Sequence, residues 1–134
     1  MKKNPTVAEH MSPVVHSIGQ DQTLDIAHEM MRKWAIRHLP VLEGGKIVGL
    51  LSLRDLHLIE TLPDVDPAAV MVEDAMTQEP YTTQPNTPLR DVAAEMAEKK
   101  LGSAIVVRDG KVVGVFTTVD ALEALVDLLD RQSA

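Results

Sequence analysis

Two stretches of the sequence share one pattern. Gly49-Leu50-Leu51-Ser52-Leu53-Arg54-Asp55 and Gly114-Val115-Phe116-Thr117-Thr118-Val119-Asp120 each run glycine, two apolar residues, a hydroxyl residue and, three positions on, an aspartate. The glycine is expected to end a strand where the backbone turns closely, and the hydroxyl then falls at a helix N-terminus. Free N–H groups and the helix dipole favour anions there. Ser52 or Thr117 can therefore cap the helix or donate to a phosphate. The aspartate, one turn into the helix, can accept both hydroxyls of a ribose, in charge-assisted bonds worth about 1.5–3 kcal/mol each when dry. The same Ser/Thr-x-x-Asp spacing is also an ordinary capping arrangement. Spacing alone leaves both readings open.

Other chemistry finds little support. His28-Glu29-Met30-Met31-Arg32 has the start of a zinc-protease helix without its second histidine, and His10 and His57 have no partner at ligand spacing. No metal site is expected. Gly44-Gly45-Lys46 lacks the upstream glycine of a phosphate loop. No nucleophile–base pair stands out, so an enzyme is not expected. The methionines on helix faces read as core filler. Arg32-Lys33 and Lys99-Lys100 end helices, where positive charge complements the dipole. Glu123, Asp127 and Asp130 read as a solvated helix face.

The composition agrees with a small folded protein. Of 134 residues, 45% are apolar and 25% charged, and there is no cysteine, which excludes disulfides and thiolate metal sites. A formal charge of −7 and only three aromatics disfavour a nucleic-acid polymer or an anionic membrane as partner. No apolar run approaches the roughly 20 residues of a membrane span. No signal peptide is evident, and the expected location is cytoplasmic.

The elements that must position the two motifs come from an internal repeat. Val7-Ala8-Glu9-His10-Met11-Ser12 returns as Val72-Glu73-Asp74-Ala75-Met76-Thr77, 65 positions later, and Lys46-Ile47-Val48-Gly49 returns as Lys111-Val112-Val113-Gly114. Each copy reads as an extended segment (Pro13–His16, Pro80–Thr83), an amphipathic helix, two strands joined by a tight turn, and a second helix. The first helix is expected over Thr23–Ala35, with Ile26, Met30 and Trp34 in its apolar stripe and Ala27 and Met31 beside them. Its counterpart is expected to start at Thr87 as N-cap with Pro88 at N1. The strands are His38–Leu42 and Ile47–Ser52, then Ser103–Val107 and Val112–Thr117. The last helix carries Leu122, Leu125, Val126 and Leu129. The order β-α-β-β-α occurs twice, over residues 7–60 and 72–128, with 61–71 as linker. The expected fold class is α+β, with the two repeats packed sheet to sheet in pseudo-two-fold symmetry.

These residues resemble a pair of CBS domains, the regulatory repeat of the cystathionine-β-synthase type. The resemblance rests on Val-x-x-x-Met-Ser/Thr at each start, on Arg37-His38-Leu39-Pro40-Val41, and on the Gly-h-h-Ser/Thr-x-x-Asp endings. The second copy has Ile105-Val106 where the family often has Leu-Pro. The resemblance implies a non-catalytic module that binds adenosine compounds: AMP, ADP or ATP, in some members S-adenosylmethionine, NAD or a cyclic dinucleotide. It places them in clefts between the repeats. In the preferred cleft Ser52 and Asp55 take phosphate and ribose, Arg37 and His38 neutralise phosphate, Arg54 adds charge, and Tyr81, Thr82, Thr83, Gly102, Ser103 and Ala104 wall the adenine. The second cleft has Thr117 and Asp120, with Val15, His16, Ile36 and His38 around the adenine, and Ser103 and Ala104 where the first has Arg37 and His38. The module is expected to form a disc-like homodimer through its helices and to signal to a separate partner. The alternative is the same fold used as a ligand-free dimerising platform, its aspartates acting as caps.

Overall fold

Residues 4–14 and 16–133 are described by the computed structural model. They form two compact units that do not follow the order of the repeats: one comprises residues 16–80, the other residues 4–14 together with 81–133. Each unit is an α+β arrangement around its own four-stranded sheet.

In the unit of residues 16–80 the sheet order is β2 (Ile18–Gly19), β3 (His38–Glu43), β4 (Lys46–Ser52) and β5 (Thr77–Gln78). Helix α1 (Leu24–Trp34) connects β2 to β3, which run parallel, and α2 (Leu53–Glu60) follows β4. A short helix, α3 (Val72–Ala75), leads into β5. The other unit repeats the plan with β1 (Ser12–Pro13), β8 (Lys111–Thr117), β7 (Ser103–Arg108) and β6 (Thr82–Thr83), and with helices α4 (Leu89–Lys99) and α5 (Thr118–Ser133). The central hairpins form because both turn residues have positive φ, at Gly44-Gly45 and at Asp109-Gly110. That geometry matches the twist of the flanking strands.

The outer strand of each sheet belongs to the opening segment of the other sequence repeat. Residues 7–13 deliver β1 to β8, and residues 72–78 deliver β5 to β4, both antiparallel. Val7 and Val72 are fully buried as anchors of these segments. The first core gathers Leu24, Ala27, Met31, Leu39, Val41, Leu51 and Leu56 around Val72. The second gathers Leu89, Val92, Met96, Val106, Phe116 and Ala124 around Val7.

Three local expectations are corrected. The α1 stripe Ile26–Met30–Trp34 flanks the core instead of forming it: Ile26 and Trp34 are 40% and 45% exposed, while Leu24, Ala27 and Met31 are buried. At 3.6 residues per turn the two sets lie roughly a quarter-turn apart, and the sheet covers the second. Thr87 does not cap α4. The helix begins at Leu89 with an extended Pro88 as N-cap, because Leu89 N–H donates to Pro5 C=O at 2.9 Å; Thr87 Oγ1 accepts from Gln84 N–H instead. The motif glycines do not end their strands either, since Gly49 and Gly114 lie inside β4 and β8.

What the glycines provide is room. A Cβ on Gly49 would lie 2.9 Å from both Met76 Cγ and Thr77 C=O, and one on Gly114 would meet Met11 Cγ at 2.9 Å and Ser12 C=O at 3.0 Å. The methionine of each incoming segment crosses directly over the glycine of the strand it joins. Gly49→Ala should therefore push β5 off β4 and cost about 1–3 kcal/mol, the range for overpacking. Urea denaturation checks this, with Gly102→Ala as control, since nothing lies within 4 Å of a Cβ at Gly102.

Candidate functional site

Both hydroxyl–aspartate motifs sit at a strand-to-helix junction, and both complete a capping arrangement. At the start of α2, Ser52 Oγ accepts from Asp55 N–H at 3.1 Å and Asp55 Oδ2 accepts from Ser52 N–H at 2.9 Å. At the start of α5, Thr117 Oγ1 accepts from Asp120 N–H at 3.3 Å while Asp120 Oδ2 accepts from Thr117 N–H at 2.9 Å and from its hydroxyl at 3.1 Å. The capping reading is thus realised at both motifs.

The two aspartates differ in what they have left. Ser12, on the incoming strand β1, donates its hydroxyl to Asp120 Oδ1 at 2.9 Å, so both oxygens of Asp120 hold protein donors. Asp120 is 9% exposed. It borders a surface depression lined also by Glu9, His10, Ser12 and Glu123, an acidic setting for an anion. The residue matching Ser12 in the other unit is Thr77, and among the described residues no donor reaches Asp55 Oδ1. Asp55 is half-buried, one oxygen committed to the cap and the other not. A carboxylate has about four acceptor positions, so capping and ligand binding are compatible there.

The residues around Asp55 in its own unit are positioned by backbone pairing. His38 and Ser52 are direct cross-strand partners on β3 and β4, and Arg37 C=O accepts from Leu53 N–H at 2.8 Å, which ties the turn before β3 to the first residue of α2. Arg37 and Arg54 are exposed, and among the described residues neither forms an ion pair. Ser52, His38, Arg37 and Asp55 are therefore gathered at one end of β3 and β4.

The predicted adenine-facing residues lie together in the other unit. Tyr81 C=O accepts from Ile105 N–H at 2.8 Å, and Thr82 and Thr83 pair with Ile105 and Val106. Ser103 is opposite Thr117 and Ala104 opposite Phe116, while Gly102 C=O accepts from both Thr118 N–H and its hydroxyl at 3.1 Å. Burial, the negative field of Glu95 and, less strongly, Asp91 raise the Tyr81 phenol above its ordinary 10.0, against opposing effects of a Thr83 hydrogen bond and Lys99. Tyr81 is thus a neutral donor throughout the physiological range. Among the second set, His16 stacks on Trp34 with centroids 4.2 Å apart, Ile36 packs against its own core, and Val15 lies outside the described residues.

One grouping escaped the sequence reading. His57, which has no partner by spacing, lies beside His28 of α1 and Glu60 of α2. His28 Nδ1 is 2.6 Å from Glu60 Oε2, and the two imidazoles meet edge to face at 6.1 Å. The separation of 29 residues between the histidines hides this from any local motif.

The asymmetry between the aspartates is measurable. Asp120→Ala removes the acceptor of three donors in a buried setting and should cost about 2–4 kcal/mol, whereas Asp55→Ala removes one half of a surface capping box and should cost about 1 kcal/mol. Urea unfolding of the two variants checks the order.

Comparison with known proteins agrees with this fold. The CBS domain family model matches residues 7–58 and 72–127. A CBS domain-containing protein of Dictyostelium discoideum is 28% identical over 135 residues, covering 92% of this chain and 93% of that protein. An inosine-5'-monophosphate dehydrogenase of Korarchaeum cryptofilum is 29% identical over 107 residues, 79% of this chain, which spans only 21% of that enzyme. The structure of CBSX2 in complex with AMP superposes with a TM-score of 0.76 at 26% identity, covering 92% of this chain and 97% of that one. CBSX2 is described as a CBS-pair protein from Arabidopsis thaliana. With both repeats matched and both sheets built to one plan, the chain belongs to the CBS-domain family as a tandem pair.

Proposed function

We propose that this chain is a regulatory module that binds an adenosine nucleotide (AMP, ADP or ATP) at Asp55 and passes the binding event to a partner protein by a conformational change. The observation that carries the reading is the Oδ1 of Asp55 at the N-terminus of α2, which no donor among the described residues occupies. A ribose hydroxyl can donate to Oδ1 while Oδ2 keeps the cap. The Ser52 hydroxyl hydrogen offers a donor to phosphate, and Arg37, Arg54 and His38 add positive charge or further donors on the same unit. The AMP complex of CBSX2 supports an adenosine ligand. Contacts to adenine from Tyr81, Thr82, Thr83, Gly102, Ser103 and Ala104 belong to the same proposal. Asp120 and Thr117, with Val15, His16 and Ile36, form the weaker candidate: the Asp120 carboxylate is filled by Ser12 and stands among acidic side chains.

Isothermal titration with AMP, ADP, ATP, NAD and S-adenosylmethionine tests the reading. At least one of them should bind below about 1 mM, and Asp55→Asn should weaken it at least tenfold, about 1.4 kcal/mol. Loss of that size at Asp120→Asn alone would move the site to the other unit. No binding by any compound would leave the ligand-free platform as the function, and an affinity unchanged in both variants would overturn both motif sites.

The homodimer is proposed on a separate observation. Along α5, Val119, Leu122, Val126 and Leu129 recur at spacings of three and four and are each 52–59% exposed, with Leu125 beside them at 51%. This is the 3.5-residue period of a helix–helix seam. Sedimentation equilibrium should give a dimer that Leu122→Glu dissociates without unfolding the chain. Among the described residues no helix is long and apolar enough to cross a membrane.

A further inference from the structure

We propose that His28, His57 and Glu60 form a binding site for a divalent transition metal, with Zn2+ as the reference ion. This departs from the expectation drawn from sequence spacing, and it stands on residues outside the nucleotide proposal. The donor set is two imidazole nitrogens and one carboxylate oxygen, all within 4.8 Å of one another. Zinc binds such nitrogen and oxygen ligands at roughly 2.0–2.2 Å, which sets ligand atoms about 3.3 Å apart in a tetrahedral site. The 2.6 Å contact between His28 Nδ1 and Glu60 Oε2 therefore needs to open by less than about 1 Å, and His57 to close by a rotamer adjustment. With three protein ligands, the remaining coordination position stays open to water or to an exchangeable group.

The two helices hold the ligands in place through the core. On α1, His28 follows Ala27, which is fully buried; on α2, His57 follows Leu56, also fully buried, and Glu60 lies one turn beyond His57 on the same face. His57 C=O accepts from Thr61 N–H at 3.1 Å, so the end of α2 is closed at the residue that supplies the ligand. His28 and Glu60 are half-buried and His57 is exposed, which shields the site on one side and leaves an approach for the ion on the other. Mg2+ and Ca2+ are poor occupants, because hard cations require several oxygen ligands and this site offers one residue's carboxylate.

Untagged protein, stripped of metal and titrated with Zn2+ by calorimetry, tests the site. The expected result is one ion per chain, no response to Mg2+ or Ca2+, and d–d absorption bands on titration with Co2+. His57→Ala, an exposed position, and Glu60→Gln, a shape-preserving change, should each weaken Zn2+ at least tenfold, with circular dichroism unchanged. His10→Ala, a histidine outside the cluster, should have no effect. Absent or non-saturating binding, half an ion per chain, or equal affinity in wild type and His57→Ala would overturn the proposal.

Discussion

A methionine crossing over a glycine governs this structure. Met76 passes across Gly49 and Met11 across Gly114, and in each case the crossing seats a strand from one repeat on the edge of the sheet of the other. The sheets would otherwise end at β4 and β8, with unpaired edge groups. The valine anchors, Val7 and Val72, then reach cores built from the opposite repeat. Remove the space above the glycine and three things fail together: edge pairing, anchor burial and, at β1, the delivery of Ser12 to Asp120. Such a position tolerates neither a methyl group nor a turn, which is why an interior strand residue carries what looks like a punctuation mark in the sequence.

The same crossing makes the two halves chemically unequal. The incoming segments align at Ser12 and Thr77, both hydroxyl residues, yet only Ser12 donates to the aspartate of the motif it meets. One copy of the motif has thus become a closed network of partly buried hydrogen bonds, while the other keeps an acceptor that no donor among the described residues fills. Duplication allows this division. One copy can specialise in holding its helix start rigid, and its twin retains the open valence that recognition requires.

Much of this was legible in the residues. The hairpins were readable because Gly44-Gly45 and Asp109-Gly110 demand positive φ, and the strands on either side alternate with their turns in register. The starts of α2 and α5 were readable from the hydroxyl–aspartate spacing. What stayed hidden was always non-local. A duplicated sequence pairs equally well with itself or with its twin, so residues 7–13 carry no sign of which sheet they join. The stripe on α1 was displaced because Ile26, Met30 and Trp34 are as apolar as Leu24, Ala27 and Met31, and only the position of the sheet selects between adjacent faces. Thr87 lost its cap to a backbone carbonyl, Pro5, more than 80 residues upstream. The grouping of His28 with His57 required two helices to pack, which no spacing rule encodes.

The exchange of outer strands also bears on ancestry. A lone copy of the repeat that kept this exchanged pairing would finish its sheet by trading opening segments with a second, identical molecule, a bimolecular event that dilution would reverse. Tandem fusion turns that trade into an intramolecular one, at an effective concentration on the order of millimolar for a short tether. Once tethered, the two partners no longer had to be identical, and divergence between them became permissible.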